Sequence, residues 1–223
     1  MLTRPMPAVT TAVLSLTMLF SPRLAAKDEK TFVMPRPADA QTYPAHDSSD
    51  KEKVAVAADP YDLSEKAQGV FRIKYKDEDL LPVLLIISNE GGQPVALTGM
   101  QVELVTHKRV KIQPATEDDI LRRIARQPMK GDQPSANPLP FPRKVKTSVK
   151  PEERQEIRDS RFAAQAVEPH ATRAGFLFFD IQDVDGPLAG AHLYVSGLRN
   201  SQGQELIFFD ISLDLYLERA PVK

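Results

Sequence analysis

The stretch Leu80-Leu81-Pro82-Val83-Leu84-Leu85-Ile86-Ile87 is apolar apart from its proline. Eight residues are short for a buried helix, and Val83, Ile86 and Ile87 are β-branched, so the run reads as a buried central strand. Pro82 has no N–H to give to a ladder, which places it near the strand's start or on a free edge. Asn89-Glu90-Gly91-Gly92 then turns the chain, and Met100, Val102 and Leu104 alternate with Gln101 and Glu103 in a following strand. The pair is expected to be antiparallel.

Upstream, Phe71-Arg72-Ile73-Lys74-Tyr75 alternates apolar residues with cations, the period of a half-buried strand, and Lys76 to Asp79 is a polar turn. Asp62 or Ser64 is placed to cap a short helical turn that Gly69 stops. Residues 27 to about 60 carry Pro35, Pro37, Pro44 and the run Asp47-Ser48-Ser49-Asp50, with little apolar periodicity, and read as a disordered tether in which only Phe32, Val33 and Met34 are sticky. Before it, Arg4 and the uncharged run Ala8 to Phe20, broken by Pro22, have the form of an export signal, with cleavage expected after Ala26. That run is shorter than the ~20 apolar residues of a membrane span, and no later stretch reaches that length.

Downstream, Thr116 caps a short helix: Glu117, Asp118 and Asp119 sit at the positive end of its dipole and Arg122, Arg123 and Arg126 at the negative end. Ile120, Leu121 and Ile124 form its apolar face. Six prolines between Pro128 and Pro151, interspersed with Lys130, Arg143, Lys144, Lys146 and Lys150, make an extended basic insertion. Pro151 then opens a charge-laced helix through Arg161, so the whole excursion covers about residues 116 to 162. Strand signals return at Ala163 to Val167, Gly175 to Ile181 and Ala191 to Val195. They end in an eleven-residue alternation from Ile207 to Leu217.

Six or seven strands without a βαβ rhythm imply a mostly β domain of two packed antiparallel sheets, over residues 61 to 223, with one or two short helices in the inserted segment. The blocks LLPVLLIISNEGGQPVAL (Leu80 to Leu97) and EPHATRAGFLFFDI (Glu168 to Ile181) give the chain a resemblance to immunoglobulin-like modules of exported bacterial proteins. What the resemblance implies is a loose immunoglobulin-like β-sandwich, without the cysteine pair and core tryptophan of a true immunoglobulin domain; it implies no activity.

With no cysteine, the chain has no disulfide framework, thiolate zinc site or thiol nucleophile. Asp180, Asp183 and Asp185 with Gly186 approach a calcium loop, but Ile181 occupies a ligand step and no glutamate closes the pattern, so the segment reads as a turn. His46, His107, His170 and His192 fall in unrelated segments, and no nucleophile elbow or phosphate loop occurs. No catalytic, cofactor-binding or metal residues are assigned.

Charge is more informative. The formal net charge is −1, yet residues 122 to 161 hold eleven Lys and Arg against five Asp and Glu. These observations lead to a non-enzymatic binding or assembly module of the bacterial cell envelope, periplasmic or extracellular, that meets another envelope protein or an anionic envelope surface and not nucleic acid. Its expected interaction surface comprises Arg143, Lys144, Lys146, Lys150, Ile120 and Ile124. The alternative is an envelope hydrolase whose site assembles only in three dimensions.

Overall fold

A computed structural model describes residues 31–62, 64–125 and 149–217. Its strands are β1 (His46–Ser49), β2 (Val54–Pro60), β3 (Leu80–Asn89), β4 (Val95–Ala96), β5 (Gln101–Val105), β6 (Lys111–Ile112), β7 (Ala166–Val167), β8 (Ala171–Asp180), β9 (His192–Ser196) and β10 (Phe209–Ser212). Three short helices join them: α1 (Ser64–Gln68), α2 (Glu117–Ala125) and α3 (Pro151–Ser160). The first sheet runs β1-β2-β3-β8 and the second β10-β9-β5-β6, with β4 and β7 as a separate pair. Every one of these strand pairs is antiparallel. Among the described residues no helix is long and apolar enough to cross a membrane.

The two sheets share one core. Val54, Val56, Leu81, Val83, Leu85, Ile87 and Phe179 from the first sheet meet Val102, Leu104, Leu193, Val195, Phe209 and Ile211 from the second. The other face of the first sheet is also covered: Leu84, Ile86, Phe176 and Phe178 pack against Tyr61, Phe71, Tyr75, Ile120 of α2 and Ile157 of α3. The protein is therefore a β-sandwich with a third layer of helix and aromatic loop on one side. That layer explains why β3 is continuously apolar: all ten of its residues are buried, with covered faces on both sides and strand neighbours on both edges.

Several expectations need correction. The tether over residues 27 to 60 is not disordered where it is described. Its second half supplies β1 and β2, and β2 lies inside the first sheet, six of its seven residues buried. The alanines that read as weak hydrophobic signal are what two covered faces accept: Ala55 and Ala57 fit under the aromatic layer, and Ala58 faces the sandwich core. Phe32 also docks, its ring 5.8 Å from Phe71, while the Val33 N–H donates to Val70 O at 3.2 Å. The domain thus begins before residue 61, and residues 27–30 lie outside the described part.

The 116–162 excursion is in its described parts an element of the core. Thr116 Oγ1 accepts the Asp119 N–H at 3.2 Å, and its own hydroxyl donates to the Asp119 carboxylate at 2.6 Å, so α2 starts where its cap dictates. The Pro-rich residues 128–148 lie outside the described part. Phe71-Arg72-Ile73-Lys74-Tyr75 is no strand; Phe71, Ile73 and Tyr75 do point inward, but a 3-10 turn (Tyr75–Glu78) follows. Pro82 lies near the start of its strand, one of the two places expected for it. It sits third in the most enclosed strand, at the level where β2 has ended, and its carbonyl accepts the Tyr61 N–H at 2.8 Å.

The last strand is shorter than its alternation predicts. Gly197, at φ +77°, lies so close to the Gly99 carbonyl that a Cβ there would come within 2.1 Å of the oxygen. Across from this kink the neighbouring segment rotates. Leu206 N–H donates inward to Leu198 O, whereas Asp210 N–H, which a regular strand would aim the same way, points outward to Asp47 Oδ2 at 2.9 Å. Ile207 and Phe208 are turned out to solvent between buried Leu206 and Phe209. Past Ser212 the chain leaves the sheet in a 3-10 turn (Asp214–Tyr216).

Candidate binding surface

Of the interaction residues expected from sequence, the three that are described, Ile120, Ile124 and Lys150, do not form one exposed surface. Ile120 is fully buried under the first sheet, because α2 needs its apolar stripe to close the third layer, and Ile124 is half-buried on the same cluster. Lys150 is exposed at the start of α3, its N–H donating to Glu153 Oε2 at 2.9 Å. Arg143, Lys144 and Lys146 lie outside the described residues. Of the histidines, His46 Nδ1 contacts Tyr43 O at 2.7 Å, His170 occupies a turn at φ +54°, and His192 is on β9; they do not converge.

The deepest polar contact in the third layer is structural. Glu156 of α3 is only 3% exposed, and its two carboxylate oxygens accept the Arg72 N–H at 2.9 Å and the Ile73 N–H at 3.1 Å. A side chain does here, for Arg72 and Ile73, what a neighbouring strand would have done. Burial pushes the carboxyl of Glu156 above its ordinary value, against the pull of those two N–H groups. The Tyr75 hydroxyl is buried near it, and its proton is held well above the usual tyrosine value, by burial first and then by the Glu156 carboxylate.

One depression collects carboxylates. Asp62, Asp79, Asp183 and Asp185, with Lys76, surround about 400 Å³ at the Leu80 end of β3. Asp183 holds φ at +64°, as a turn residue does. Among the described residues no group of three or more His, Cys, Asp or Glu side chains is arranged to hold a metal ion. Asp180 turns away from Asp183 and Asp185: it pairs with Arg123 and accepts the Gln182 N–H at 3.0 Å.

The outward face of the second sheet is of a different kind. Strand register places Asp210, Tyr194 and Glu103 in one row and Ser212, His192, Val105 and Lys111 in the next. Asp210 Oδ1 lies 2.7 Å from His192 Nδ1, and Glu103 Oε2 accepts from Lys111 Nζ at 2.9 Å. Desolvation and the neighbouring Asp210 carboxylate hold the Tyr194 hydroxyl above its ordinary value. The rings of His192 and Tyr194 are 6.1 Å apart and nearly parallel, and Phe208 continues the row 6.3 Å from Tyr194. Phe208 is 58% exposed and its neighbour Ile207 70%.

The sequence contained one sign of this face. Leu206-Ile207-Phe208-Phe209 puts four apolar residues in succession where a half-buried strand can hide two, so some of them had to face outward. His192, Tyr194 and Asp210 carried no such signal, since they occupy ordinary solvent-side positions of alternating strands. The chain matches no protein-family model, no curated protein and no solved structure.

Proposed function

We propose that the chain is a non-enzymatic binding or assembly module of the bacterial cell envelope, exported by the segment ending at Ala26, with a sandwich of the immunoglobulin-like kind as its scaffold. Its contact surface is the outward face of the second sheet around Ile207 and Phe208. The observation that carries this reading is the exposure of those two side chains in the segment leading into β10, beside the ring row of Tyr194 and His192. Large apolar groups gathered beside polar ones are the composition of an interface centre. The test is site-specific photo-crosslinking in producing cells. A photoreactive residue at position 208 should give a discrete adduct in the envelope fraction, and one at Gln155 on α3 should not. Equal labelling from both positions, or none at 208, refutes the assignment.

A hydrolase is the second reading, and the four aspartates around one depression are what favour it. Release of soluble fragments from purified envelope by the wild-type protein, lost on Asp79→Asn, would replace the binding reading.

A further inference from the structure

Given that reading of the second sheet's outward face, the chemistry of the face narrows what it binds. Glu103 already holds Lys111. Asp47 and Asp210 meet no lysine or arginine at ion-pair distance among the described residues; Asp210 stands opposite Tyr194 in the ring row, and Asp47 holds the Asp210 N–H. Asp210 is pinned from two sides, by His192 at Nδ1 and by its own N–H held on Asp47, so the two carboxylates are fixed in place before any partner arrives. Opposite Asp210 stands the half-exposed ring of Tyr194, with the exposed ring of Phe208 6.3 Å from it and the exposed aliphatic Ile207 adjoining Phe208 in the chain.

A carboxylate pair beside aromatic rings matches one group above others. A guanidinium is planar, weakly hydrated and permanently charged; it stacks on an aromatic ring while its edge donates to carboxylate oxygens. An ammonium satisfies the charge without the stacking, and an anionic surface would be repelled by Asp47 and Asp210. We propose that this face receives an arginine-bearing segment of a partner protein, the guanidinium lying on Tyr194 or Phe208 and donating to Asp210 and Asp47, with an aliphatic neighbour of that arginine seated on Ile207.

The test uses the chain from Lys27 to Lys223 and a capped hexapeptide alternating leucine and arginine, with lysine-for-arginine and glutamate-for-arginine versions as controls. Binding is followed by amide shifts in two-dimensional NMR at low and at physiological salt. The arginine peptide should move resonances of residues 194 and 207–211, bind more tightly than the lysine peptide, and weaken with salt. Phe208→Ala and Asp210→Asn should each weaken it about threefold or more. Asp47→Asn provides a second carboxylate variant should Asp210→Asn disturb the sheet.

Equal binding of the glutamate peptide, or affinity unchanged in Phe208→Ala and in both carboxylate variants, overturns the proposal. If position 208 still crosslinks in cells while the arginine peptide fails to bind, the guanidinium inference is wrong and the contact face stands. If the crosslink is absent as well, both fall.

Discussion

Replacing Glu156 tests whether the third layer depends on a side chain acting as a strand. Glu156→Ala removes the acceptors of two backbone donors, Arg72 N–H and Ile73 N–H, at 2.9 and 3.1 Å. An unsatisfied buried donor costs about 1–3 kcal/mol, so two would cost roughly 2–6 kcal/mol. Water relieves part of this, because Glu156 borders an open depression of about 450 Å³ with Phe32, Arg72 and Pro151. The expected loss is therefore about 2–4 kcal/mol. Glu156→Gln keeps one acceptor but turns an NH2 toward the second donor, for a loss of about 1–3 kcal/mol. Urea unfolding followed by circular dichroism, with linear extrapolation, measures both.

The pH dependence has a definite sign. Burial raises the carboxyl of Glu156 in the folded state, so the folded protein holds its proton more tightly than the unfolded chain does. The wild-type side chain is therefore most favourable below the unfolded value of about 4.3 and loses stability as pH rises through the higher folded value. Glu156→Gln has no such titration, so its deficit against wild type should be larger near pH 4 than near pH 7. A deficit that grows with pH would mean that the two N–H groups outweigh burial. A Glu156→Ala protein within about 0.5 kcal/mol of wild type would refute the clamp itself.

Ile120→Asp should lose about 1.5–3 kcal/mol of apolar burial with the further cost of a buried carboxylate, and Ile124→Asp distinctly less, both read from urea midpoints. Arg122→Ala removes a pair to Asp119 that is exposed on both sides, and should leave the urea midpoint unchanged in the same titration. Gly197→Ala meets both a left-handed φ and the Gly99 carbonyl, so its melting temperature should fall by several degrees, about 1 kcal/mol or more. Phe208→Ser should leave the melting temperature unchanged, because the ring is exposed; a clear loss of stability would show that the ring is core after all.

Where a residue's partners are close in sequence, the chain was readable. Leu80 to Ile87 is a strand because it is apolar, β-branched and bounded by a turn, and α2 starts at Thr116 because its cap is local. The misreadings share a cause in partners that lie far away. Residues 71–75 alternate like a strand, but the Arg72 and Ile73 N–H groups go to Glu156, more than eighty residues on. Val54 to Pro60 looks too slight for a core until β3 and the aromatic layer enclose it. The Ile207–Leu217 alternation is broken by Ile207 and Phe208, which both face solvent opposite the Gly197 turn after β9, and by the exit after Ser212. The outward face of the second sheet was legible only in Phe208, because its polar members look like ordinary solvent-side residues.

The enclosure of β3 has a consequence for biogenesis. Its edge against β2 can form as soon as residues 54 to 89 have emerged, but the opposite edge waits for β8, where Leu80 pairs with Asp180 and Asn89 with Ala171. During those roughly ninety residues of synthesis, LLPVLLII is an unclosed apolar hairpin arm, the form most prone to pairing with another chain. Closure over such a separation is slow for a protein of this size. Productive folding therefore depends on how quickly Phe176, Phe178 and Phe179 are delivered, and on whether a holding chaperone occupies the arm in the meantime.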